Sequence, residues 1–184
     1  RLFIVSVCDG IGGIFAACDS LKISFTGINC EADADLRQVV NKRWRQLSPS
    51  ADAFKLDAKT IRKLLAASQA SAVLFAAGPN CQPFSSLSGS AKGFDDPRAN
   101  VVDECVRIRD ICSAAAADRR LPFAWLLEEV ASMSEEHRNA FSQKLGCEPV
   151  LIHAADFGWV HRPRLYWGIA LESMRRRPWY DLFR

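Results

Sequence analysis

No run in this sequence approaches the roughly 18 apolar residues of a membrane-spanning helix. No C-x-x-C pair occurs among its seven cysteines (Cys8, Cys18, Cys30, Cys81, Cys105, Cys112 and Cys147), which argues against a zinc site. Their number is odd and their spacing irregular. That argues against a disulfide framework and for an intracellular, reducing compartment. There is no internal repeat, and no low-complexity segment beyond the short run Ala114 to Ala117. No small-residue cleavage site follows the opening apolar run Leu2 to Val7, so that run reads as a strand and not as a signal peptide. Nor does one charge dominate: 24 Lys and Arg against 21 Asp and Glu leave +3, which permits a nucleic-acid partner without arguing for one. Basic residues do cluster locally, at Lys42-Arg43-Trp44-Arg45, at Arg162 and Arg164, and at Arg175-Arg176-Arg177.

What is present is a chain of 184 residues, 49% apolar and 24% charged, enough for one domain with a substantial core. Apolar, β-rich runs alternate with helical segments. Strands are expected at Leu2 to Val7, Ser24 to Cys30, Ala53 to Leu56, Ala72 to Ala77, Phe123 to Leu127, Val150 to His153 and Arg164 to Ile169. Helices are expected over Ile14 to Leu21, Ala32 to Trp44, Lys59 to Ala67, Val101 to Ala116 and Ser134 to Leu145, the last capped by Ser134. This alternation predicts an α/β fold, a mostly parallel sheet with helices on both faces. Ligands in such folds bind beyond the carboxyl ends of the strands. Asp9, Glu31, Asp57, Cys81 and Glu128 each follow a predicted strand and so fall at that edge.

Asp9-Gly10-Ile11-Gly12-Gly13 follows a strand and opens a helix. Glycine there admits a cofactor close to the backbone. A dinucleotide site wants G-x-G-x-x-G or a final alanine, and counting from Gly10 the last position is Phe15, which breaks that fingerprint. The alternative is a nucleoside cofactor without a pyrophosphate, such as S-adenosylmethionine. Glu31 then suits the ribose hydroxyls and Asp57 the adenine amino group.

Gly78-Pro79-Asn80-Cys81-Gln82-Pro83-Phe84-Ser85 carries the most information. A buried strand ends, and a cysteine is held in a loop between two prolines, which restrict where the thiol points. This segment resembles the Pro-Cys loop of the cytosine-C5 DNA methyltransferase family, usually G-P-P-C-Q-P-F-S, at seven of eight positions. Asn80 replaces a proline, a departure expected to loosen the loop. Other segments follow in family order. The turn from Asp9 to Gly13 resembles the first motif, with Cys8 where an aromatic is usual. Leu127-Glu128-Glu129-Val130 resembles E-N-V, with Glu129 in place of asparagine. His161-Arg162-Pro163-Arg164-Leu165-Tyr166-Trp167-Gly168 resembles the paired-arginine motif, in the flavour of the eukaryotic de novo branch.

The resemblance spans roughly residues 2 to 169 and implies a Rossmann-like methyltransferase fold with S-adenosylmethionine as cofactor. It assigns cofactor contacts to Asp9, Gly10, Ile11, Gly12, Gly13, Glu31, Asp57, Gly78, Pro79 and Val101. It assigns catalysis to Cys81, Glu128, Arg162 and Arg164, and no metal. Cytosine C5 is a poor nucleophile until a thiolate adds at C6, the role implied for Cys81, helped by a lowered thiol pKa or by a base. Glu128 would protonate or hydrogen-bond N3. Arg162 and Arg164 would hold a base flipped out of duplex DNA.

A homologue that binds cofactor or partner proteins without catalysis, and a tRNA cytosine-C5 methyltransferase, share these residues. A nicotinamide oxidoreductase is set aside by Phe15 and the Cys81 loop. The expected organisation is a catalytic core over residues 1–170, followed by the start of a shortened or missing target-recognition region over 171–184. A chain that opens on a core strand is also expected to lack its natural start. The expected location is the nucleus in a eukaryote or the cytoplasm in a bacterium.

Overall fold

The computed structural model describes residues 1–85 and 92–168. They fall into two units, each built from two stretches of chain: Arg1–Pro79 with Val101–Ala124, and Asn80–Asn100 with Trp125 onward. The expected target-recognition segment, 171–184, lies outside the described residues.

The first unit is the parallel half. The apolar run Leu2–Val7 forms β1, Phe25–Cys30 forms β2, Leu47–Ser50 forms β3 and Ala72–Ala77 forms β4, in the order β3-β2-β1-β4. All three pairings are parallel. Val7 pairs with Cys30 on one side and Ala77 on the other, and Cys30 pairs with Ser50, so four strands finish level along one edge. Residues that follow those ends are therefore delivered to one place.

Helices α1 (Gly13–Ser20), α2 (Ala34–Arg43), α3 (Ala58–Ala67) and α4 (Asn100–Asp118) complete this unit, α4 apart from its first residue. Asp33 caps α2 by accepting from the amides of Asp35 and Leu36, satisfying donors that a helix start leaves open. One core cluster joins Ile4, Phe15, Cys18, Phe25, Val40, Trp44 and Leu47. Phe15, the residue that breaks the dinucleotide fingerprint, stacks on Phe25 at 5.5 Å between ring centroids. It is a core anchor and leaves no room for the small residue that a pyrophosphate site needs. The Lys42-Arg43-Trp44-Arg45 cluster is partly structural as well. Trp44 is buried, Arg43 lies over its ring, and Trp44 Nε1 donates to Asp19 at 2.7 Å.

The third strand departs from expectation. Ala53 to Leu56 is not a strand: Ala53–Lys55 is a 3-10 turn begun by Asp52, which accepts from the Phe54 amide at 2.9 Å, and the strand lies earlier. Ala53, Phe54 and Leu56 imitate a strand in composition. The true β3 is polar and holds Pro49, which an edge strand tolerates. Arg107 of α4 bonds the carbonyls of Ala53 and Leu56 and fixes the turn.

The second unit is antiparallel. β5 (Phe123–Val130, whose first two residues belong to the first unit), β6 (Val150–His153) and β7 (Pro163–Trp167) lie in the order β5-β7-β6. β5 runs three residues further than expected because β7 pairs along it, Leu127 with Trp167 through Val130 with Arg164. Glu128 and Glu129 therefore stand inside a strand and not after it. Ile169, expected to end β7, lies outside the described residues. Helix α5 (Glu135–Leu145) starts on Ser134, whose hydroxyl accepts from the His137 amide as expected. Phe84, Phe94, Phe141 and Trp167 form the aromatic core of this unit. Among the described residues, no helix is long and apolar enough to cross a membrane.

Candidate functional site

In the first unit, Asp9 to Gly13, Glu31, Gly78 and Pro79 follow the level strand ends. The chain leaves β1 through Cys8, at φ 56°, and turns at Gly10, at φ 59°. A side chain at Gly10 would meet open space, so its glycine answers to backbone conformation. Gly12 differs. It caps α1 at φ 87°, and a Cβ there would strike the Trp44 ring, so that glycine serves core packing. Gly13 is open, and Ile11 is exposed.

Glu31 directly follows β2. Gly10 N donates to its Oε2 at 2.9 Å and Asp33 N to its Oε1 at 3.0 Å, so both oxygens are held by backbone amides. Asp9 is half-buried. Burial pushes its carboxyl up to about 6, against the backbone amides of Ile14 and Gly13, which lower it, and Glu31 raises it further. Its Oδ2 has no hydrogen-bond partner among the described residues. Gly78, right after β4, donates to the Val7 carbonyl at 3.1 Å, and Pro79 behind it is buried.

Asp57 does not follow a strand. It is exposed and caps α3, accepting from the Thr60 amide at 2.7 Å, a bond that also lowers its pKa. Val101 sits half-buried in the first turn of α4.

The four residues assigned to catalysis all belong to the second unit. Cys81 lies in a tight loop whose amides at Phe84 and Ser85 both donate to its carbonyl, at 2.9 and 2.8 Å. Asn80, expected to loosen the loop, ties it: its Oδ1 accepts from Gln82 N at 3.1 Å, an Asx turn that restrains the residue where proline would otherwise do so. A clamp not foreseen from sequence holds the far side. Arg98 grips Asp96 with Nε and Nη2, at 2.9 and 2.6 Å, and reaches Gln82 Oε1 with Nη1. Its signal in the sequence is the Asp96-Pro97-Arg98 triplet, which lies outside the family-like motifs.

The Cys81 thiol is half-buried, and its pKa is raised, first by burial and then by the charge of Glu129, with Glu128 adding; Arg164 opposes them. The expected lowering of the thiol pKa is therefore not found. Arg164 Nε lies 2.6 Å from Glu128 Oε1. Arg162 is exposed. Arg162, Arg164, Tyr166, Phe157 and Val160 are among the residues lining an open depression of about 340 Å³.

A family profile described as C-5 cytosine-specific DNA methylase matches residues 2–169. The chain belongs to that family. Among solved structures it is similar to a chain assigned as a DNA modification methyltransferase encoded within an E. coli prophage, at 19% identity and TM-score 0.68, covering 91% of this chain and 46% of that one. It is similar to the Entamoeba histolytica methyltransferase EhMeth at 17% identity and TM-score 0.63, covering 90% and 52%. For the S. pombe Dnmt2 methyltransferase the figures are 19% and 0.57, with 91% and 48% covered. At these identities the likeness establishes a shared α/β methyltransferase fold. The chain spans about half the length of the structures it matches.

Proposed function

We propose that this chain is the catalytic core of a DNA cytosine-C5 methyltransferase that uses S-adenosylmethionine, with Cys81 as nucleophile. The observation that carries the reading is the Cys81 loop: a cysteine whose backbone is tied by hydrogen bonds on both sides, in the same unit as the Glu128–Arg164 pair.

The first unit's residues fit the cofactor. Among the described residues Asp9 keeps an oxygen without a partner, Gly10 and Gly13 border open space, and Glu31 presents a carboxylate already fixed in place for ribose hydroxyls. Asp57 would accept from the adenine amino group, and Ile11 would cover an apolar face of the ring. Bound there, S-adenosylmethionine supplies an electrophilic methyl group on a sulfonium.

In the second unit, Cys81 Sγ, once it has lost its proton, adds to cytosine C6 and raises electron density at C5. Glu128 hydrogen-bonds or protonates N3, which makes the ring accept the thiolate. Arg162 reaches cytosine O2, and Arg164 steadies Glu128 and the covalent loop. After methylation, loss of the C5 proton breaks the C6–S bond and returns the thiolate. The cytosine leaves the duplex to reach the thiol, since C6 is inaccessible within a stack. Cys81→Ser is expected to abolish transfer of a labelled methyl group to DNA while cofactor still binds. Turnover by that variant contradicts the covalent route.

A further inference from the structure

Glu129 is the anomaly of the second unit. It is 1% exposed. Its Oε2 accepts from the Val130 amide at 2.8 Å, and its Oε1 has no partner among the described residues. Side chains alternate along a strand, so Glu129 points to the face of Leu127, while Glu128 points to the other. Its cross-strand neighbour is Leu165, and Leu127 pairs with Trp167; all three of these apolar residues are buried. The nearby guanidinium of Arg164 is already engaged by Glu128. An ionised carboxylate in that place would be buried without a counter-ion and with an oxygen unsatisfied, which costs several kcal/mol in general. A neutral carboxyl avoids most of that cost. Burial, with the charge of Glu128 adding and the Val130 amide and Arg164 opposing, pushes the Glu129 carboxyl up to about 8.

Among the described residues, the charges that bear on Glu129 are those of Glu128 on its own strand and Arg164 on β7, and Glu129 in turn bears on Cys81 on its loop. Phe84 of the Cys81 loop meets Phe141 edge-on, and Phe141 stacks on Trp167, so the loop packs against the face of β5 and β7 that carries Glu129, whose charge raises the thiol's pKa.

We infer that Glu129 is a positioning residue for the nucleophile, carrying its proton at neutral pH so that one carboxylate, and not two, opposes formation of the Cys81 thiolate. The inference rests on Cys81 being the nucleophile. When Glu129 gives its proton to solvent, the local balance becomes two carboxylates against Arg164. The Cys81 S–H bond is then harder to ionise, because its proton leaves a third negative charge beside the first two. The asparagine usual in the family cannot take on this charge.

The test is the pH dependence of Cys81 alkylation by iodoacetamide, followed by mass spectrometry of the peptide that holds Cys81, in the wild-type protein and in Glu129→Gln and Glu129→Asn. It needs no turnover, so it can fail while methyl transfer succeeds, and the reverse. Below pH 7 the variants are expected to match wild type within about twofold; above pH 8.5 they should react about threefold faster or more, the effect of half a pKa unit. Methyl transfer by the variants should then hold up above pH 8.5, where wild type declines. Superimposable alkylation profiles from pH 6 to 10 overturn the inference. So does a gap already present at pH 6.5, which would mean that Glu129 is ionised throughout. Agreement between the Gln and Asn variants guards against a local packing effect of either one.

Discussion

Arg164 Nε lies 2.6 Å from Glu128 Oε1, a contact made diagonally between two antiparallel strands in which Glu128 faces Tyr166 and Arg164 faces Val130. The pairing of β7 with β5 puts both side chains on one face, so the register itself brings a carboxylate and a guanidinium into the region that acts on Cys81. Arg164→Ala removes the partner of Glu128 and, among the described residues, a cation that favours the Cys81 thiolate. It is expected to lower single-turnover methyl transfer about a hundredfold and stability by about 1.5–3 kcal/mol, the range for hydrogen bonds to charged groups. Arg164→Lys should recover part of the rate, since it keeps the charge and loses the planar fork. Full activity in the alanine variant, measured on labelled DNA, would remove Arg164 from the mechanism.

Asn80 provides a sharper check on the loop. If its Asx turn replaces the restraint of the family's proline, Asn80→Pro should retain activity. Asn80→Ala should lose roughly fivefold, equivalent to about 1 kcal/mol for one hydrogen bond. The measurement is kcat for both variants, with proteolysis near residue 81 as a report on loop order. A fall with proline and none with alanine would show that the loop needs freedom at this position.

Much of the first unit was legible in the sequence. β1 and β4 are apolar apart from Ser6, and Asp9 and Glu31 follow level strand ends. The third strand was not legible, because its residues are polar and include Pro49, while the 3-10 turn after it carries Ala53, Phe54 and Leu56. Asp57 was placed on the wrong kind of element for that reason. The length of β5 was hidden differently: only the antiparallel partner, remote in sequence, shows that Glu128 and Glu129 continue the strand. The burial of Glu129 and the Arg98 clamp are likewise products of tertiary contact. Cys81 itself was legible, since no strand or helix pattern accounts for a cysteine between two prolines.

Stability should carry the signature of Glu129. Its carboxyl rises from 4.5 to about 8 on folding, so the folded protein keeps a proton that the unfolded chain has released. Folding stability is then expected to fall as pH rises from about 4.5 to about 8, by up to several kcal/mol, and to be flat with respect to this group outside that window. Asp9, raised to about 6, contributes in the same direction over a lower range. Urea unfolding of wild type and Glu129→Gln across pH 5 to 9 separates the two, because only the Glu129 part disappears in the variant. Parallel curves would contradict a neutral Glu129 in the folded state.

The central claim is that Cys81 attacks cytosine C6. The most direct measurement uses a duplex in which the target cytosine carries fluorine at C5, incubated with S-adenosylmethionine and the protein. Fluorine cannot leave as the C5 proton does, so the thiol remains bonded to the base. The expected result is a stable protein–DNA adduct, mapped by peptide mass spectrometry to Cys81 and absent from Cys81→Ser. An active protein that methylates ordinary cytosine yet forms no adduct, or forms it at another cysteine, would contradict the account.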